Sequence, residues 1–190
     1  MDQQIPEEFQ ANYFNVKTRL NWDEYFMLQA MIAAFKSKDP VTKVGCVFVD
    51  ENNHQITMGY NGFVAGINEK LLPWGKDKEL PLEHQKYGYV VHAEANALLH
   101  SPRSLAGSTL YVTHFPCHEC AKLIASSKIS RVVYLYDKHL GTSSNNISKK
   151  IFGLTGIEFE MLTLKKDLLD DLHQHLVEMI EGPTQENNPS

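Results

Sequence analysis

Cysteine and histidine residues with metal-ligand spacing are the most informative feature of this sequence. Cys117 and Cys120 are separated by two residues, and His92 lies upstream of them. Two thiolates and one imidazole can bind a tetrahedral Zn²⁺ and leave its fourth position open for water, as in catalytic rather than structural zinc sites. The spacing therefore predicts one catalytic zinc ion per chain, bound by His92, Cys117 and Cys120.

An acidic residue beside the predicted ligands supplies the second half of the chemistry. Glu94 lies two residues after His92, close enough to reach a metal-bound water without serving as a ligand. Zinc lowers the pKa of such a water, and a carboxylate nearby can take its proton and later return protons to a leaving group. The pattern predicts Glu94 as the catalytic acid and base in a hydrolysis by the metal-bound water.

Spacing alone leaves other interpretations of these residues open. A Cys-x-x-Cys motif can be a redox pair, and His92 can be a core histidine beside a surface acid. A closed structural zinc site would need Cys46 as its fourth ligand. Because Cys46 lies inside the apolar segment 44–49, a buried small hydrophobic residue is the simpler interpretation.

Composition argues against several classes of protein. The chain has 190 residues, 43% of them hydrophobic, and its apolar runs are too short to cross a bilayer. The net charge of -5 argues against binding to nucleic acid polymers. The three cysteines are too few for a disulfide framework, and the N-terminus lacks the features of a signal peptide. We therefore expect a cytoplasmic protein.

Hydrophobic periodicity predicts alternating helices and strands. A β-hairpin is predicted from 44–49 and 54–60, and 61–90 is predicted to be a long loop with short helical pieces at most. The first helix, Trp22 to about Lys36, should bury Phe26, Ala30, Met31, Ala33, Ala34 and Phe35. The other helices are predicted over 92–99, 117–126, 144–152 and 168–180, and the other strands over 109–113, 131–136 and 157–163.

This order of elements predicts a three-layer α/β/α fold. A central mixed sheet of about five strands is expected, with helices on both faces. Both predicted ligand groups fall at helix N-termini, where the helix dipole favours a thiolate. Residues 1–20 are expected to form an N-terminal arm, 21–181 the folded domain, and 182–190 a disordered tail.

Further motifs extend over much of the chain. The upstream motifs are Ser37-Lys38-Asp39-Pro40, Val44-Gly45, Gly59-Tyr60-Asn61-Gly62-Phe63 and Leu72-Pro73-Trp74. The downstream motifs are His92-Ala93-Glu94, Asn96-Ala97, Tyr111-Val112-Thr113, Phe115-Pro116-Cys117 and Glu119-Cys120-Ala121-Lys122-Leu123-Ile124. Together they resemble the deoxycytidylate (dCMP) deaminases of the cytidine deaminase superfamily, over about Trp22 to Thr163.

The resemblance implies a cytidine deaminase-like fold and zinc-dependent hydrolysis of dCMP to dUMP and ammonia, which supplies dUMP for thymidylate synthesis. The alternative substrates are other cytosine nucleotides or nucleosides, such as dCTP, CMP or deoxycytidine. A non-catalytic zinc-stabilised nucleotide-binding protein is the alternative outside the enzymes. The resemblance also implies a homo-oligomer, a hexamer in many relatives, with dCTP and dTTP as candidate effectors.

Four residues are candidates for contacts with the nucleotide. Asn61, at the end of a predicted strand, can read sugar hydroxyls or the base edge, although Asn before Gly is also common in turns. Lys38 and Lys138 can bind a monophosphate, although a lysine in either setting is more often simply solvated. Tyr136 lies at a strand end where related deaminases place residues around the base, although it can be an ordinary packing residue.

The chain departs from the family pattern at several positions. Phe63-Val64-Ala65-Gly66 stands where the family has Phe-Pro-x-Gly, Tyr87-Gly88-Tyr89-Val90-Val91 stands for Tyr-Pro-Tyr-Val-Cys, and His114 replaces an apolar residue. These changes leave the predicted zinc chemistry intact. They bear on the conformation of the loop and on whether effector regulation carries over.

Overall fold

A central sheet with flanking helices forms the framework of the protein. The computed structural model describes residues 20–77 and 79–181. Within them the strands are β1 (Gly45–Val49), β2 (Gln55–Tyr60), β3 (Gly62–Phe63), β4 (Val90–Val91), β5 (Thr109–His114), β6 (Arg131–Tyr136) and β7 (Glu158–Met161). The α-helices of the same residues are α1 (Trp22–Ala34), α2 (Ala93–Leu99), α3 (His118–Ser126), α4 (Ser143–Thr155) and α5 (Lys166–Glu181).

The central sheet is mixed and has the strand order β2-β1-β5-β6-β7. Strand β1 pairs antiparallel with β2 and β5, whereas β5, β6 and β7 are parallel. The predicted hairpin is confirmed as β1 and β2. Its turn is stabilised by the Asp50 carboxylate, which accepts hydrogen bonds from the backbone N–H groups of Asn52 and His54 at 3.0 and 2.9 Å.

Helices cover both faces of this sheet. Helix α1 packs against β1 and β5, and the ring of Phe26 lies 5.4 Å from that of Tyr111. Because side chains alternate along a strand, Phe48 and Val112 point to the opposite face, where they share one buried cluster with residues of α2, α3 and α4. The predicted three-layer α/β/α fold is therefore confirmed.

Two local features differ from the sequence-based expectations. Helix α1 ends at Ala34, so Phe35 leaves the buried face and is 77% exposed. The segment 61–90 contains the expected short helical turns and also an antiparallel pair, β3 and β4, in which Gly62 opposes Val91. Two-residue strands are too short to produce the alternation by which a strand is predicted.

The described residues fall into two compact units, and each is described by itself. Trp22–Thr163 form the unit that contains both sheets, whereas helix α5 belongs to the other unit. The domain limits 21–181 stay a prediction. The predicted arm, apart from Leu20, and the predicted tail lie outside the described residues. In the part of the chain that is described, every helix is too short or too polar to cross a bilayer.

Gly59 allows α2 to lie directly on β2. A Cβ atom at Gly59 would stand 2.2 Å from the backbone oxygen of Ala93 and 2.8 Å from the backbone nitrogen of Ala97. The Gly59→Ala variant should therefore lower the free energy of unfolding by about 1–3 kcal/mol, since overpacking displaces backbone. Urea denaturation measures this change, and unaltered stability would contradict the close approach.

Gly153→Ala is the matched control. Gly153 lies in α4, and a Cβ atom there meets nothing within 4 Å. Alanine in this helix should raise the free energy of unfolding by about 0.5–1 kcal/mol.

Candidate metal and active site

The predicted metal ligands lie at the first turns of two helices. His92 is the N-cap residue of α2 and Cys117 the N-cap residue of α3, both with extended backbone. Within the described residues neither side chain caps its own helix, so the imidazole and the thiol are available to each other. Cys120 lies in the first turn of α3, beside Cys117.

The three side chains converge at a spacing that suits a metal ion. Nδ1 of His92 lies 3.4 Å from Sγ of Cys117 and 3.4 Å from Sγ of Cys120, and all three ligand atoms lie within 4.8 Å of one another. Tetrahedral zinc, with bonds of about 2.3 Å to sulfur and about 2.0 Å to nitrogen, places these atoms about 3.5 Å apart. His92, Cys117 and Cys120 can therefore hold one metal ion.

Hydrogen bonds among the same groups set their protonation in the absence of metal. A hydrogen bond from the Cys120 thiol, assisted by His92, lowers the pKa of Cys117 to about 3. The hydrogen bond to Cys117 raises the pKa of His92 to about 9, and the bond to Cys117 together with burial raises the pKa of the Cys120 thiol. Metal binding requires deprotonated thiols and a neutral imidazole, so it is coupled to the release of protons.

Glu94 lies in the first turn of α2, just after His92. Its side chain is buried, with 4% exposure for the residue, and it lines the same cavity as His92 and Cys117. Burial raises the pKa of Glu94, and the nearby His92 opposes this shift. A carboxyl group with a raised pKa is suited to carry protons near neutral pH.

Cys46 lies in the core, apart from this group. It is fully buried in β1 and belongs to the cluster beneath α2 and α3. Burial, with the neighbouring Glu94 charge, raises the pKa of the Cys46 thiol well above its usual range. The simpler interpretation of Cys46, as a buried small hydrophobic residue, agrees with this position.

A cavity of about 700 Å³ extends from the metal group toward the surface. Its walls bring together the carboxyl ends of β5 and β6, the start of α2, and residues from 39–44 and 76–90. The lining side chains are Asp39, Thr42, Val44, Asn61, Lys76, Asp77, Lys86, Tyr87, Val90, His92, Ala93, Glu94, His114, Phe115, Cys117, Lys138 and His139. Ligand sites commonly lie outside the carboxyl ends of strands, as this cavity does.

Two of the four predicted nucleotide contacts lie in the wall of this cavity. Asn61 is 6% exposed, and Lys138 donates a 2.9 Å hydrogen bond to the hydroxyl of Thr42. In the described part of the chain, the cavity lining does not include Lys38 or Tyr136. Lys38 instead forms an exposed ion pair with Glu69 at 3.0 Å, and Tyr136 packs edge-on against the His114 ring.

Sequence reasoning missed several ionisable residues of the cavity. Lys86 and Asp39 form a buried ion pair in its wall, although they are far apart in the chain. His114 is the last residue of β5, where burial, assisted by the charges of Lys138 and His139, lowers the pKa of the imidazole. The sequence did offer one signal for His114, because this residue directly follows the predicted strand 109–113, at a place where ligand-binding residues often lie.

Comparison with known proteins agrees with this geometry. Residues 20–136 match the family model described as the cytidine and deoxycytidylate deaminase zinc-binding region. The chain belongs to this family. Among the curated relatives of this deaminase, a probable deoxycytidylate deaminase of Drosophila melanogaster is 46% identical over 150 residues, covering 76% of this chain and 73% of the relative.

Two further comparisons extend this result. The deoxycytidylate deaminase of Homo sapiens is 38% identical over 141 residues, which cover 74% of this chain and 79% of the relative. The crystal structure of the dCMP deaminase from the cyanophage S-TIM5, in complex with dCMP and dUMP, is similar with a TM-score of 0.61 and 26% identity. That match covers 76% of this chain and 99% of the phage protein.

Metal content distinguishes the roles of the three cysteines. Cys120→Ala removes one of the three converging ligands, so the purified variant should contain less than about a tenth of the wild-type metal, because the remaining pair cannot complete the site. Cys46→Ala should retain one metal ion per chain, as measured by atomic emission. Loss of metal from Cys46→Ala would instead indicate a closed four-ligand structural site.

Proposed function

We propose that this protein hydrolyses dCMP to dUMP and ammonia, with one zinc ion per chain bound by His92, Cys117 and Cys120. The observation that carries the proposal is the convergence of these three side chains beside the buried Glu94 in one cavity. Relatives named deoxycytidylate deaminase, at 38–46% identity, support the choice of substrate, as does the similarity to a phage dCMP deaminase in complex with dCMP and dUMP.

The donor set fits zinc better than a hard cation. Thiolate and imidazole ligands suit zinc, whereas magnesium and calcium prefer oxygen ligands. Three protein ligands leave one coordination position open, and zinc bound there supplies a Lewis acid that makes water nucleophilic near neutral pH. The hydrogen bonds from Cys120 and His92 that lower the pKa of Cys117 also favour the thiolate form that binds zinc.

Glu94 carries protons in the proposed reaction. Its carboxylate takes a proton from the attacking water as oxygen bonds to C4 of the cytosine ring. It delivers this proton to the ring nitrogen N3, takes a second proton from the hydroxyl group now on C4, and passes that proton to the amino group. The C4–N bond then breaks as the C4 carbonyl forms, and ammonia is released. The raised pKa of Glu94 favours this exchange because the group can both accept and return a proton.

The Glu94→Gln variant tests this role. The amide matches the carboxylate in shape but cannot accept the proton, so kcat for dCMP should fall by about 10²–10⁴-fold, while the zinc content stays near one per chain. Glu119→Gln is the matched control, because Glu119 is 63% exposed and pairs with Lys122; its kcat should stay within about twofold of wild type. Undiminished turnover by Glu94→Gln would overturn the mechanism.

A lysine in the cavity wall supports a phosphorylated substrate. Lys138 follows β6 and lines the cavity. A monophosphate is bound through charge-assisted hydrogen bonds of the kind that its ammonium group can donate. We therefore assign the phosphate contact to Lys138 and a nucleotide contact to Asn61, whereas the roles of Lys38 and Tyr136 stay predictions.

A substrate panel tests the proposed function directly. Loss of cytosine absorbance is followed with dCMP, CMP, dCTP and deoxycytidine, and dCMP should give the highest kcat/KM. Lys138→Met should reduce kcat/KM for dCMP by about tenfold or more, since a hydrogen bond to a charged group contributes about 1.5–3 kcal/mol, and should leave deoxycytidine turnover nearly unchanged. If another compound gave the highest kcat/KM, that compound would replace dCMP as the proposed substrate. Absence of turnover with all four compounds would favour a nucleotide-binding protein.

Assembly, regulation and location are proposed from the resemblance alone. We propose a cytoplasmic homo-oligomer, a hexamer by resemblance to the family, with dCTP and dTTP as candidate effectors. Light scattering of the zinc-loaded protein and the dCMP assay with each effector added test these proposals.

A further inference from the structure

Lys86 and Asp39 form an ion pair in the wall of the cavity, and both side chains are buried, which is rare for charged residues. Their side chains are 6% and 1% exposed, respectively, and both line the cavity. A buried ion pair of this kind is weak evidence for stability, because desolvation opposes the attraction between the charges. The position of the pair in the cavity wall points to a role in the site.

The Asp39 carboxylate joins several segments through hydrogen bonds. One oxygen accepts from the backbone N–H groups of Val41 at 2.9 Å and Thr42 at 3.1 Å. The other accepts from Lys86 Nζ and from the side-chain amide of Asn61 at 3.3 Å. Burial tends to raise the pKa of Asp39, but the Lys86 ammonium and the backbone donors outweigh it and hold that pKa below its usual value. Asp39 therefore acts as an acceptor.

These contacts fix the orientation of the Asn61 amide. Its nitrogen donates to Asp39 and, at 3.0 Å, to the carbonyl oxygen of Thr42, while its oxygen accepts from the backbone N–H of Val44 at 2.8 Å. A flipped amide would place oxygen against two acceptors. In the observed orientation, Val44 uses one lone pair of the Asn61 oxygen, and the second lone pair remains for a ligand.

The segment that carries Lys86 also leads to the metal site. The backbone N–H of Lys86 donates to Gly75 at 2.9 Å, and β4 follows before His92. Strand β4 pairs with β3, which begins directly after Asn61. Two contacts therefore connect the segment around Asn61 to the residues that precede His92: the Lys86–Asp39 ion pair and the pairing of β3 with β4.

We propose that Lys86 is a positioning residue of this deaminase: through Asp39 it holds the Asn61 amide so that its oxygen accepts a hydrogen bond from the bound nucleotide. This inference rests on the proposed function. Lys86 itself touches Asp39 rather than the reacting atoms, so its effect on the reaction must pass through Asn61.

A double-mutant cycle tests this dependence on the zinc-loaded protein. Lys86→Met and Asn61→Ala should each lower kcat/KM for dCMP about tenfold or more, since each disturbs a hydrogen bond in a buried site, and mainly by raising KM. The double variant should lie within about threefold of Asn61→Ala alone, because residues that act through one contact are not additive. Losses that multiply in the double variant would overturn the proposal.

A second variant separates positioning from stability. Combining Asp39→Asn with Lys86→Met removes both charges, so neither is left buried without a partner, and the melting temperature should recover relative to Lys86→Met. Turnover should not recover, because an amide in place of the Asp39 carboxylate cannot hold the Asn61 side chain in the same way. Recovery of both quantities would show that the pair is only structural.

A control and a binding measurement complete the experiment. Arg103→Met breaks an ion pair with Asp50 in which Arg103 is 56% exposed, and kcat/KM for dCMP should stay within about twofold of the wild-type value.

Affinity for dUMP is measured for every variant in parallel. A wild type without dCMP turnover would contradict the proposed function, and the affinity cycle would still decide the role of Lys86. A wild type that also fails to bind dUMP would overturn both.

Discussion

Two helices begin side by side at one end of the sheet, and the chemistry of the protein depends on that placement. His92 occupies the N-cap position of α2 and Cys117 that of α3, so a shift of either helix would separate Nδ1 from the sulfur atoms now 3.4 Å away. The bare backbone of Gly59 lets α2 lie against β2. The partial positive charges of both helix N-termini favour the thiolate at their junction.

The arrangement of charges follows from the same geometry. In the cavity wall Cys117 contacts His92, and Asp39 contacts Lys86. Among the described residues, the lining holds three lysines and three carboxylate residues, although the chain as a whole has a net charge of -5. The local field inside a cleft, rather than the net charge, governs which small ligand is attracted.

The sequence was sufficient to predict the three layers, most helices and strands, and the group that can hold a metal. Periodicity identifies elements that bury one face against the core, and the Cys117 and Cys120 spacing together with His92 indicates a set of metal ligands. The Asp39 and Lys86 pair was not predictable, because its members are 47 positions apart and a lysine is usually solvated. Residue type also could not show that Lys38 forms an exposed ion pair with Glu69 or that Tyr136 packs against the His114 ring.

Two kinds of structure line the cavity. One part of the lining is formed by the first residues of packed helices, and another part by residues of the segment 61–90 and by the residues after β6. Loops tolerate substitution and insertion better than packed elements do. Descendants of such a fold can therefore change the compounds that they admit while they keep the three residues that can hold a metal ion.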